Sequence, residues 1–237
     1  MRVRTLAASS LLLLMTSCRF GAPAGSTLQG RDIGHLYHLF FYVAIGVGAV
    51  VYGLILWAAV RYRRRRHDDD SLPPQFKYHP TLEIVYTVIP VLIVIGLFVV
   101  TFRTEDRVDH VSPRPAVVVD VLGFQWQWRF DYPGYGVSVI GGPGSPPTLM
   151  LPVGQVVQMN LATEDVIHSF FVPDFLFKRD AVPGIHNRFD WTIPRTGTFR
   201  GECAEFCGLD HDAMSFYVKA VPPAEFQQWL ASQGASG

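Results

Sequence analysis

Residues 36–60 form the uncharged stretch LYHLFFYVAIGVGAVVYGLILWAAV, and the basic run RYRRRR follows directly at residues 61–66. As a helix, the stretch would extend about 37 Å, because an α-helix rises about 1.5 Å per residue. This exceeds the ~30 Å thickness of the hydrocarbon core of a bilayer. The stretch therefore predicts a transmembrane helix.

A second uncharged run, at residues 84–102, is just long enough to span and contains Pro90, which would break a helix in a soluble protein. The two runs predict a helical hairpin. The loop between them carries the basic run, so the positive-inside bias predicts a cytoplasmic loop with both chain ends outside. A basic run can also indicate nucleic-acid binding, but beside a membrane span it is more typical of a topology determinant.

The N-terminus is typical of an exported protein. A positive MRVR segment precedes an apolar stretch at residues 6–16, and Ser17 and Cys18 follow. A cysteine at the cleavage point resembles a bacterial lipobox, which predicts that Cys18 is lipidated. An ordinary signal peptide with an incidental cysteine is the alternative. We expect a signal peptide at 1–17, a short external segment at 18–35, the hairpin at 36–103 and an external domain at 104–237.

The composition separates the chain into two parts. Its 237 residues have zero formal net charge, 17% are charged and 49% are hydrophobic, which argues against a disordered chain or a nucleic-acid binder. Before Thr104 there are 11 basic and 5 acidic residues, and from there on 9 basic and 15 acidic. This polarity indicates one part in lipid and another in water.

The part after Thr104 has β-branched and aromatic runs broken by Gly and Pro. This pattern predicts an all-β sandwich or barrel with strands near 116–121, 124–132, 137–140, 153–161, 189–193 and 215–221. The loop GGPGSPP at 141–147 is predicted to be neither helix nor central strand. A short helix is predicted from Pro222 to about Ser232, with Phe226, Trp229 and Leu230 on its inner face.

Residues 201–214 form the string GECAEFCGLDHDAM, which combines two thiols, an imidazole and a thioether: Cys203, Cys207, His211 and Met214. Thiolate and thioether are soft ligands that select copper, and the thioether disfavours zinc. The same spacing would also place these side chains on one face of a core helix, but the two glycines of the string favour a loop.

A disulfide is the second alternative, since a bare Cys-x-x-x-Cys in an oxidising compartment is more often a disulfide than a metal site. The nearby imidazole and thioether favour the metal site. Upstream, His168 lies in TEDVIHSF, and alone it would be interpreted as a structural histidine.

Four motifs follow the predicted hairpin in the sequence: QWQW at 125–128, EDVIHS at 164–169, KRDAVPG at 178–184 and CAEFCGLDHDAM at 203–214. Together they resemble subunit II of cytochrome c oxidase over nearly the whole chain after the signal. The resemblance implies a membrane-anchored all-β protein. Its N-terminal two-helix transmembrane hairpin would be followed by a cupredoxin-like Greek-key β-barrel that holds the binuclear copper-A centre.

Position by position, the resemblance implies a ligand set for two copper ions. Cys203 and Cys207 would bridge both ions, and His168 and His211 would cap one each. Met214 would be a weak axial ligand. The backbone carbonyl of Glu205 would be the sixth ligand, and the carboxylate of the same residue would bind magnesium at the contact with subunit I.

Two further residues receive roles from the resemblance. Trp126 would be the electron-entry tryptophan, although its spacing from Trp128 alone predicts two core residues on one face of a strand. Glu83 would be a proton-uptake carboxylate at the entrance of the K pathway. A helix N-terminal acid that follows a Thr81 cap is the alternative interpretation of Glu83.

The implied function is that of an oxidase subunit in a bacterial plasma membrane, a multi-pass protein with its copper domain on the outer (periplasmic or extracellular) side. Electrons would pass from cytochrome c, or a membrane-bound c-type cytochrome, through copper-A to heme in subunit I for oxygen reduction coupled to proton pumping. The sequence lacks Cys-x-x-Cys-His, so heme is expected only in the partner subunit. Expected partners are subunit I, other oxidase subunits and membrane lipid, but not nucleic acid.

Two other functions are alternatives to an oxidase subunit with copper. A quinol-oxidase-type subunit would keep the hairpin and the domain without copper, and the full ligand set argues against it. A membrane-anchored copper carrier would work without heme-bearing partners.

Overall fold

The structure is a computed structural model that describes residues 24–63, 75, 77–142 and 144–234. Within these residues the chain forms three α-helices, which are α1 (Leu28–Arg61), α2 (Pro80–Val108) and α3 (Pro223–Gly234). The predicted signal peptide, Cys18 and residues 64–66 of the basic run lie outside the described residues.

Helices α1 and α2 each contain one of the apolar runs. They extend about 51 Å and about 43 Å, more than the hydrocarbon core requires. Their most apolar windows have mean hydropathies of 2.4 and 2.7, and none of the residues in those windows is buried in the protein. A hairpin that faces lipid requires apolar side chains that are not covered by the rest of the protein. Within the described residues, both helices meet this requirement.

Helix α1 begins eight residues before its apolar run, because Thr27 caps it by accepting a hydrogen bond from the Gly30 amide at 2.8 Å. Its first turns lie beside the last turns of α2. Arg107 of α2 forms an ion pair of 3.6 Å with Asp32 of α1 and donates to the Thr104 hydroxyl at 3.3 Å. The two helices therefore form an antiparallel pair whose ends next to the β-domain are joined by this ion pair.

The described part of the remaining chain forms ten strands. Their bounds are β1 Val117–Phe124, β2 Gln127–Tyr132, β3 Val137–Ile140, β4 Thr148–Pro152, β5 Val156–Thr163, β6 His168–Val172, β7 Phe177–Ala181, β8 Asn187–Thr192, β9 Gly197–Cys203 and β10 Ser215–Val221. One sheet has the order β3-β2-β1-β5-β8 and the other β4-β10-β9-β6-β7. The pairs β1–β5 and β4–β10 are parallel, and the other pairs are antiparallel. This architecture confirms the predicted fold class, a membrane hairpin followed by a cupredoxin-like all-β domain.

The sequence pattern missed strands β4, β6, β7 and β9. Strand β4 is buried at four consecutive positions, so it lacks the alternation of a half-exposed strand. Strand β7 has the sequence FKRDA, whose three central charges are not typical of a strand. The predicted strand at 124–132 is divided into β1 and β2, and Trp126 lies in the turn between them. The prediction that Trp126 shares a strand face with Trp128 is therefore wrong.

Aromatic rings fill the space between the sheets. Phe170 and Phe216 stack with their centroids 4.5 Å apart, and Trp128 meets both rings edge-on at 5.3 Å and 5.6 Å. Full burial of one such ring contributes roughly 2–3 kcal/mol. The core extends to His168, whose ring centroid is 6.0 Å from that of Trp128.

Helix α3 covers one end of the sandwich. Phe226 and Leu230 are buried, and Trp229 is half-buried with its ring 5.2 Å from Tyr132. The predicted inner face of this helix is confirmed, and the helix ends at Gly234, two residues beyond the prediction.

The start of α1 docks onto the β-domain. The Ser26 amide donates to the Asp174 carbonyl at 2.8 Å, and the Gln29 side chain accepts from the Thr192 amide at 3.2 Å. Gly30 lies so close to the chain at Phe175 that a Cβ there would overlap the Phe175 carbonyl oxygen. The domain is thereby held against the helix at several points.

We expect Gly30→Ala to destabilise this contact, because the new Cβ meets backbone rather than a side chain that can rotate away. Overpacking of this kind costs about 1–3 kcal/mol, which should lower the thermal unfolding midpoint of the full chain in detergent by several degrees. Gly46→Ala is the matched control, since a Cβ at Gly46 meets nothing within 4 Å. Equal midpoints for the two variants would contradict the docking.

Candidate metal centre

The predicted ligands lie on two neighbouring strands and one loop. Strand β9 ends at Cys203, and the loop from there to β10 carries Cys207, His211 and Met214. Apart from the single 3-10 turn His211–Ala213, this segment is not helical, so the loop prediction is confirmed.

The two thiols face each other. The Sγ atoms of Cys203 and Cys207 are 3.8 Å apart, and both cysteines are free. A disulfide bond would require about 2.05 Å. The structure therefore contains a dithiol pair and not the disulfide that the spacing alone also allowed.

Each thiol has its own imidazole. The Nδ1 atom of His168 is 3.8 Å from the Cys203 sulfur, and the Nδ1 atom of His211 is 3.6 Å from the Cys207 sulfur. The Met214 thioether sulfur is 3.9 Å from the Cys207 sulfur. The two halves of the cluster are thus similar in composition, with one imidazole nitrogen beside each sulfur.

The sixth predicted ligand, the carbonyl oxygen of Glu205, is 3.3 Å from the Cys203 sulfur. The side chain of Glu205 is exposed. The structure therefore brings all six predicted copper ligands together, and it directs the carbonyl and the carboxylate of Glu205 to different surroundings.

Strand pairing explains how His168 reaches Cys203, which lies 35 positions away in the sequence. His168 is the first residue of β6, which pairs with β9 so that Phe170 is opposite Cys203. Backbone hydrogen bonds then close the loop: the Cys203 amide donates to the Met214 carbonyl at 2.9 Å, and the Ala204 amide donates to the Ser169 carbonyl at 3.0 Å.

The cluster is almost completely shielded from solvent. Met214 is 1% exposed, Cys207 4%, Cys203 6% and His168 0%. His211 is only partly buried. Most of the donors are thus shielded from water, while one imidazole is partly exposed. Such a site is accessible to a partner protein without being open to reaction with solvent.

The thiols differ in acidity. Burial raises the pKa of the Cys203 thiol, but hydrogen bonds with His168 and with backbone groups at Ser169 and Glu205 outweigh burial and lower it below its usual value. Burial and the charge of Cys203 both raise the pKa of Cys207.

Burial lowers the pKa of His168, but its contacts with Cys203 and Asp165 have the larger combined effect and raise it above the usual value. The contact between Cys203 and His168 thus lowers the pKa of the thiol and raises that of the imidazole. Metal binding would release protons from the cluster, because coordinated thiols are deprotonated and a ligating imidazole is neutral.

The donor set fits copper. Three donors, His168, Cys203 and Cys207, have ligand atoms within 4.8 Å of one another, and a third sulfur from Met214 is adjacent. Two thiolates and two imidazoles alone would also suit zinc, but zinc sites do not use a thioether, so the Met214 sulfur beside them favours copper.

The structure also brings Trp126 to the cluster, although it does not lie on a strand. Its indole N–H donates to the carbonyl of Cys207 at 3.2 Å, and its ring is half-buried. The spacing argument thus failed for Trp126, and the electron-entry role implied by the resemblance stays a prediction.

Glu83 lies far from this cluster, near the start of α2. His79 caps that helix by accepting from the Leu82 amide at 3.2 Å, and the Glu83 carboxylate accepts from the His79 amide at 3.0 Å. The predicted Thr81 cap is wrong, because Pro80 takes the first helical position and moves the cap to His79. The proton-uptake role of Glu83 stays a prediction.

Sequence reasoning did not foresee two contacts around the site, although it expected the charge of Asp165 near the copper ligands. Asp165 lies 2.9 Å from Nε2 of His168, and Gln125 donates from its amide side chain to the Cys207 carbonyl at 2.8 Å. An acid three residues before a ligating histidine was a possible signal for Asp165. Nothing in the sequence pattern pointed to the contact of Gln125.

A transmembrane hairpin that anchors a cupredoxin-like domain with a buried dithiol, two imidazoles and a thioether defines a membrane-anchored copper protein. Family models agree with this class and make it more specific. The model described as "Cytochrome C oxidase subunit II, transmembrane domain" matches residues 15–104, and that described as "Cytochrome C oxidase subunit II, periplasmic domain" matches residues 146–221.

Individual relatives agree. The chain is 37% identical to a probable cytochrome c oxidase subunit 2 of Streptomyces avermitilis, over 99% of this chain and 88% of the relative. It is 32% identical to cytochrome c oxidase subunit 2 of Mycobacterium bovis, over 89% and 74%. The crystal structure of the periplasmic domain of subunit II of cytochrome oxidase of Bradyrhizobium japonicum matches 53% of this chain and 99% of that domain, with 29% identity and a TM-score of 0.49.

The chain belongs to the cytochrome c oxidase subunit II family. It is a membrane-anchored subunit of a terminal oxidase, and it forms a complex with other oxidase subunits.

The geometry of the cluster predicts different effects for two ligand substitutions. Cys207→Ser removes the sulfur that contacts Cys203, His211 and Met214, so copper affinity should fall by more than roughly 100-fold, since even groups outside the ligand shell change it by about 10- to 100-fold. Met214→Leu removes only the thioether, so copper should be retained with a shifted reduction potential. Copper content after chelator treatment and redox titration measure these effects.

Met150→Leu is the matched control for Met214→Leu, because Met150 is also buried but lies on β4. It should leave the potential unchanged. Equal copper loss for the Cys207 and Met214 variants would contradict the assigned difference in ligand strength.

Proposed function

We propose that the chain accepts single electrons from a c-type cytochrome at a binuclear copper-A centre and delivers them to heme in subunit I, where oxygen is reduced and protons are pumped. The observation that carries this proposal is the convergence of two thiols, each beside its own imidazole, in a buried cluster.

In this proposal each ligand has a defined task. The thiolates of Cys203 and Cys207 and the imidazoles of His168 and His211 would hold two copper ions as the strong ligands. The Met214 thioether and the Glu205 carbonyl would be the weaker ligands. When bound, the copper pair supplies a one-electron carrier whose charge is shared over both metals, which keeps the bond-length changes on reduction small.

The protein contributes rigidity and the exclusion of water. His168 and Cys203 are held by the pairing of β6 with β9, and Met214 is fixed by the hydrogen bond from the Cys203 amide to its carbonyl. Donors that are fixed before an electron arrives need little rearrangement when it does, which is the electrostatic advantage of a preorganised site.

Trp126 is the proposed electron-entry residue. Its indole N–H donates directly to the carbonyl of the bridging Cys207, so one hydrogen bond connects the ring to the copper ligand. The ring is half-buried, which leaves part of it accessible to a docked donor.

Glu205 is the proposed magnesium ligand at the contact with subunit I. Its carbonyl faces Cys203 while its carboxylate is exposed, so one residue can contact both metals without competition between its two groups. Subunit I would supply the remaining magnesium ligands.

Glu83 is the proposed proton-uptake carboxylate at the cytoplasmic side. The family resemblance is the support for this role, because the hydrogen bond to the His79 amide already accounts for a carboxylate at this position.

The proposed outer location of the copper domain is supported by the basic loop between the two spans, which starts at Arg61 and Tyr62.

The experiment that tests the proposal is paramagnetic resonance of the full chain, loaded with copper in detergent. We expect two coppers per chain and one unpaired electron coupled equally to both nuclei. Coupling to a single copper nucleus, or a Cys203–Cys207 disulfide in metal-replete protein, would refute the binuclear site.

The charge distribution predicts how the electron donor docks. Glu164, Asp210 and Asp212 are exposed next to the ligands His168 and His211. A negative surface steers a basic partner, and salt weakens the effect because the Debye length is about 10 Å near 0.1 M. A basic c-type cytochrome should therefore reduce the copper-loaded chain fast at low ionic strength and more slowly as salt is added, as stopped-flow measurements can show.

Asp212→Asn should slow this reduction about twofold at low salt, since a unit charge about 10 Å away in water is worth about 0.4 kcal/mol. The control is Glu225→Gln on α3, outside the ligand loops, which should have little effect. A rate independent of salt would mean that these acids do not face the donor.

A further inference from the structure

The turn between β1 and β2 lies between the two segments that carry the predicted copper ligands. On one side is the loop before β6, with Asp165 and His168. On the other side is the loop after β9, with Cys207. Gln125, in this turn, forms hydrogen bonds to both.

Toward the first segment, the backbone amide of Gln125 donates to Oδ2 of Asp165 at 2.7 Å. The other carboxylate oxygen, Oδ1, accepts from the Val166 amide at 2.6 Å and lies 2.9 Å from Nε2 of His168. The Nδ1 atom of that ring is the one that faces Cys203. A carboxylate on one ring nitrogen fixes the orientation of the other nitrogen as a ligand.

Toward the second segment, the side-chain amide of Gln125 donates to the Cys207 carbonyl at 2.8 Å. The Trp126 indole donates to the same oxygen at 3.2 Å. Gly208, the next residue, has φ of +123°, and a Cβ there would lie 3.0 Å from the indole nitrogen and 3.1 Å from the Gln125 amide nitrogen. The turn and the loop thus fit together without space for a side chain at position 208.

We propose that Gln125 is a positioning residue for the copper centre. Its backbone amide holds Asp165, which aims His168, and its side chain holds the backbone of Cys207 against Trp126. One residue thereby sets the spacing between the two halves of the site. This inference rests on the proposed function, because the copper pair and the role of Trp126 belong to it.

The location of Gln125 makes the proposal testable. Its side chain is exposed, so it contributes nothing to the hydrophobic core, and its substitution should alter the site without unfolding the domain. Gln125→Met keeps the length of the side chain, removes the donor to Cys207 and leaves the backbone bond to Asp165. The disturbance should therefore be confined to the Cys207 half.

Gln127→Met is the matched control. Gln127 follows two positions later, and its side-chain amide donates to the Gly142 carbonyl at 3.1 Å instead of to a ligand loop. The same atoms are removed in both variants, and each loses one hydrogen bond, to the Cys207 carbonyl in Gln125→Met and to the Gly142 carbonyl in Gln127→Met.

The first measurement uses the copper-free full chain in detergent. Hydrogen exchange of the Trp126 indole N–H, followed by NMR, reports how firmly the Cys207 carbonyl is held. We expect roughly tenfold faster exchange in Gln125→Met, the change in an equilibrium that corresponds to about one hydrogen bond. Exchange in Gln127→Met should equal that of the native chain.

The second measurement is paramagnetic resonance of the copper-loaded chains. Gln125→Met should retain copper but couple its electron unequally to the two nuclei, whereas Gln127→Met should keep equal coupling. Unchanged exchange, or faster exchange with unchanged coupling, would overturn the proposal. If the native chain itself shows no copper pair, the proposed function fails, and the exchange measurement alone then decides whether Gln125 holds the Cys207 loop.

Discussion

The separation of 3.8 Å between the sulfur atoms of Cys203 and Cys207 is the constraint on which the rest of the site depends. Burial raises the pKa of the Cys207 thiol, and repulsion by the neighbouring Cys203 adds to this effect. Cys203 is also buried, but its hydrogen bonds outweigh burial and lower its pKa, so the two thiols differ in acidity. Each thiol lies beside an imidazole nitrogen in a cluster that is shielded from solvent, and positive ions held by these donors would offset the cost of two buried thiolates.

The β-sandwich supplies the stiffness that such a cluster needs. His168 and Cys203 belong to paired strands, and the aromatic core reaches His168 through Trp128. Only the ligands after Cys203 lie on a loop, and the backbone bond between Cys203 and Met214 closes that loop at its base. The predicted ligands on this loop thus lie in a segment whose two ends are fixed by the sheet, which is a common arrangement for binding loops on rigid scaffolds.

Much of this could be predicted from the sequence, because membrane spans and soft-ligand motifs are local signals. The uncharged runs predicted α1 and α2, and the string that ends at Met214 predicted a copper site. The pairing that brings His168 to Cys203 is non-local, and it was implied only by the family resemblance. Strands β4 and β7 do not alternate, so periodicity missed them, and the turn at Trp126 interrupted what looked like a continuous strand. The contacts of Gln125 and Asp165 depend on three segments meeting, which local patterns do not encode.

The docking of α1 onto the β-domain has a consequence for electron transfer over distance. The helix continues without interruption from the membrane span to its Thr27 cap, and Gly30 lies directly against the chain at Phe175. Arg179 joins the domain to the end of the other helix through Asp109, at 2.6 Å. Electron tunnelling weakens steeply as the gap between two centres grows, so a domain on a flexible tether would work only during brief close encounters. A domain that stands on two stiff helices would instead stay at a fixed distance from the membrane spans. In the proposed function, the lengths of these helices would then set the tunnelling distance to the heme of subunit I.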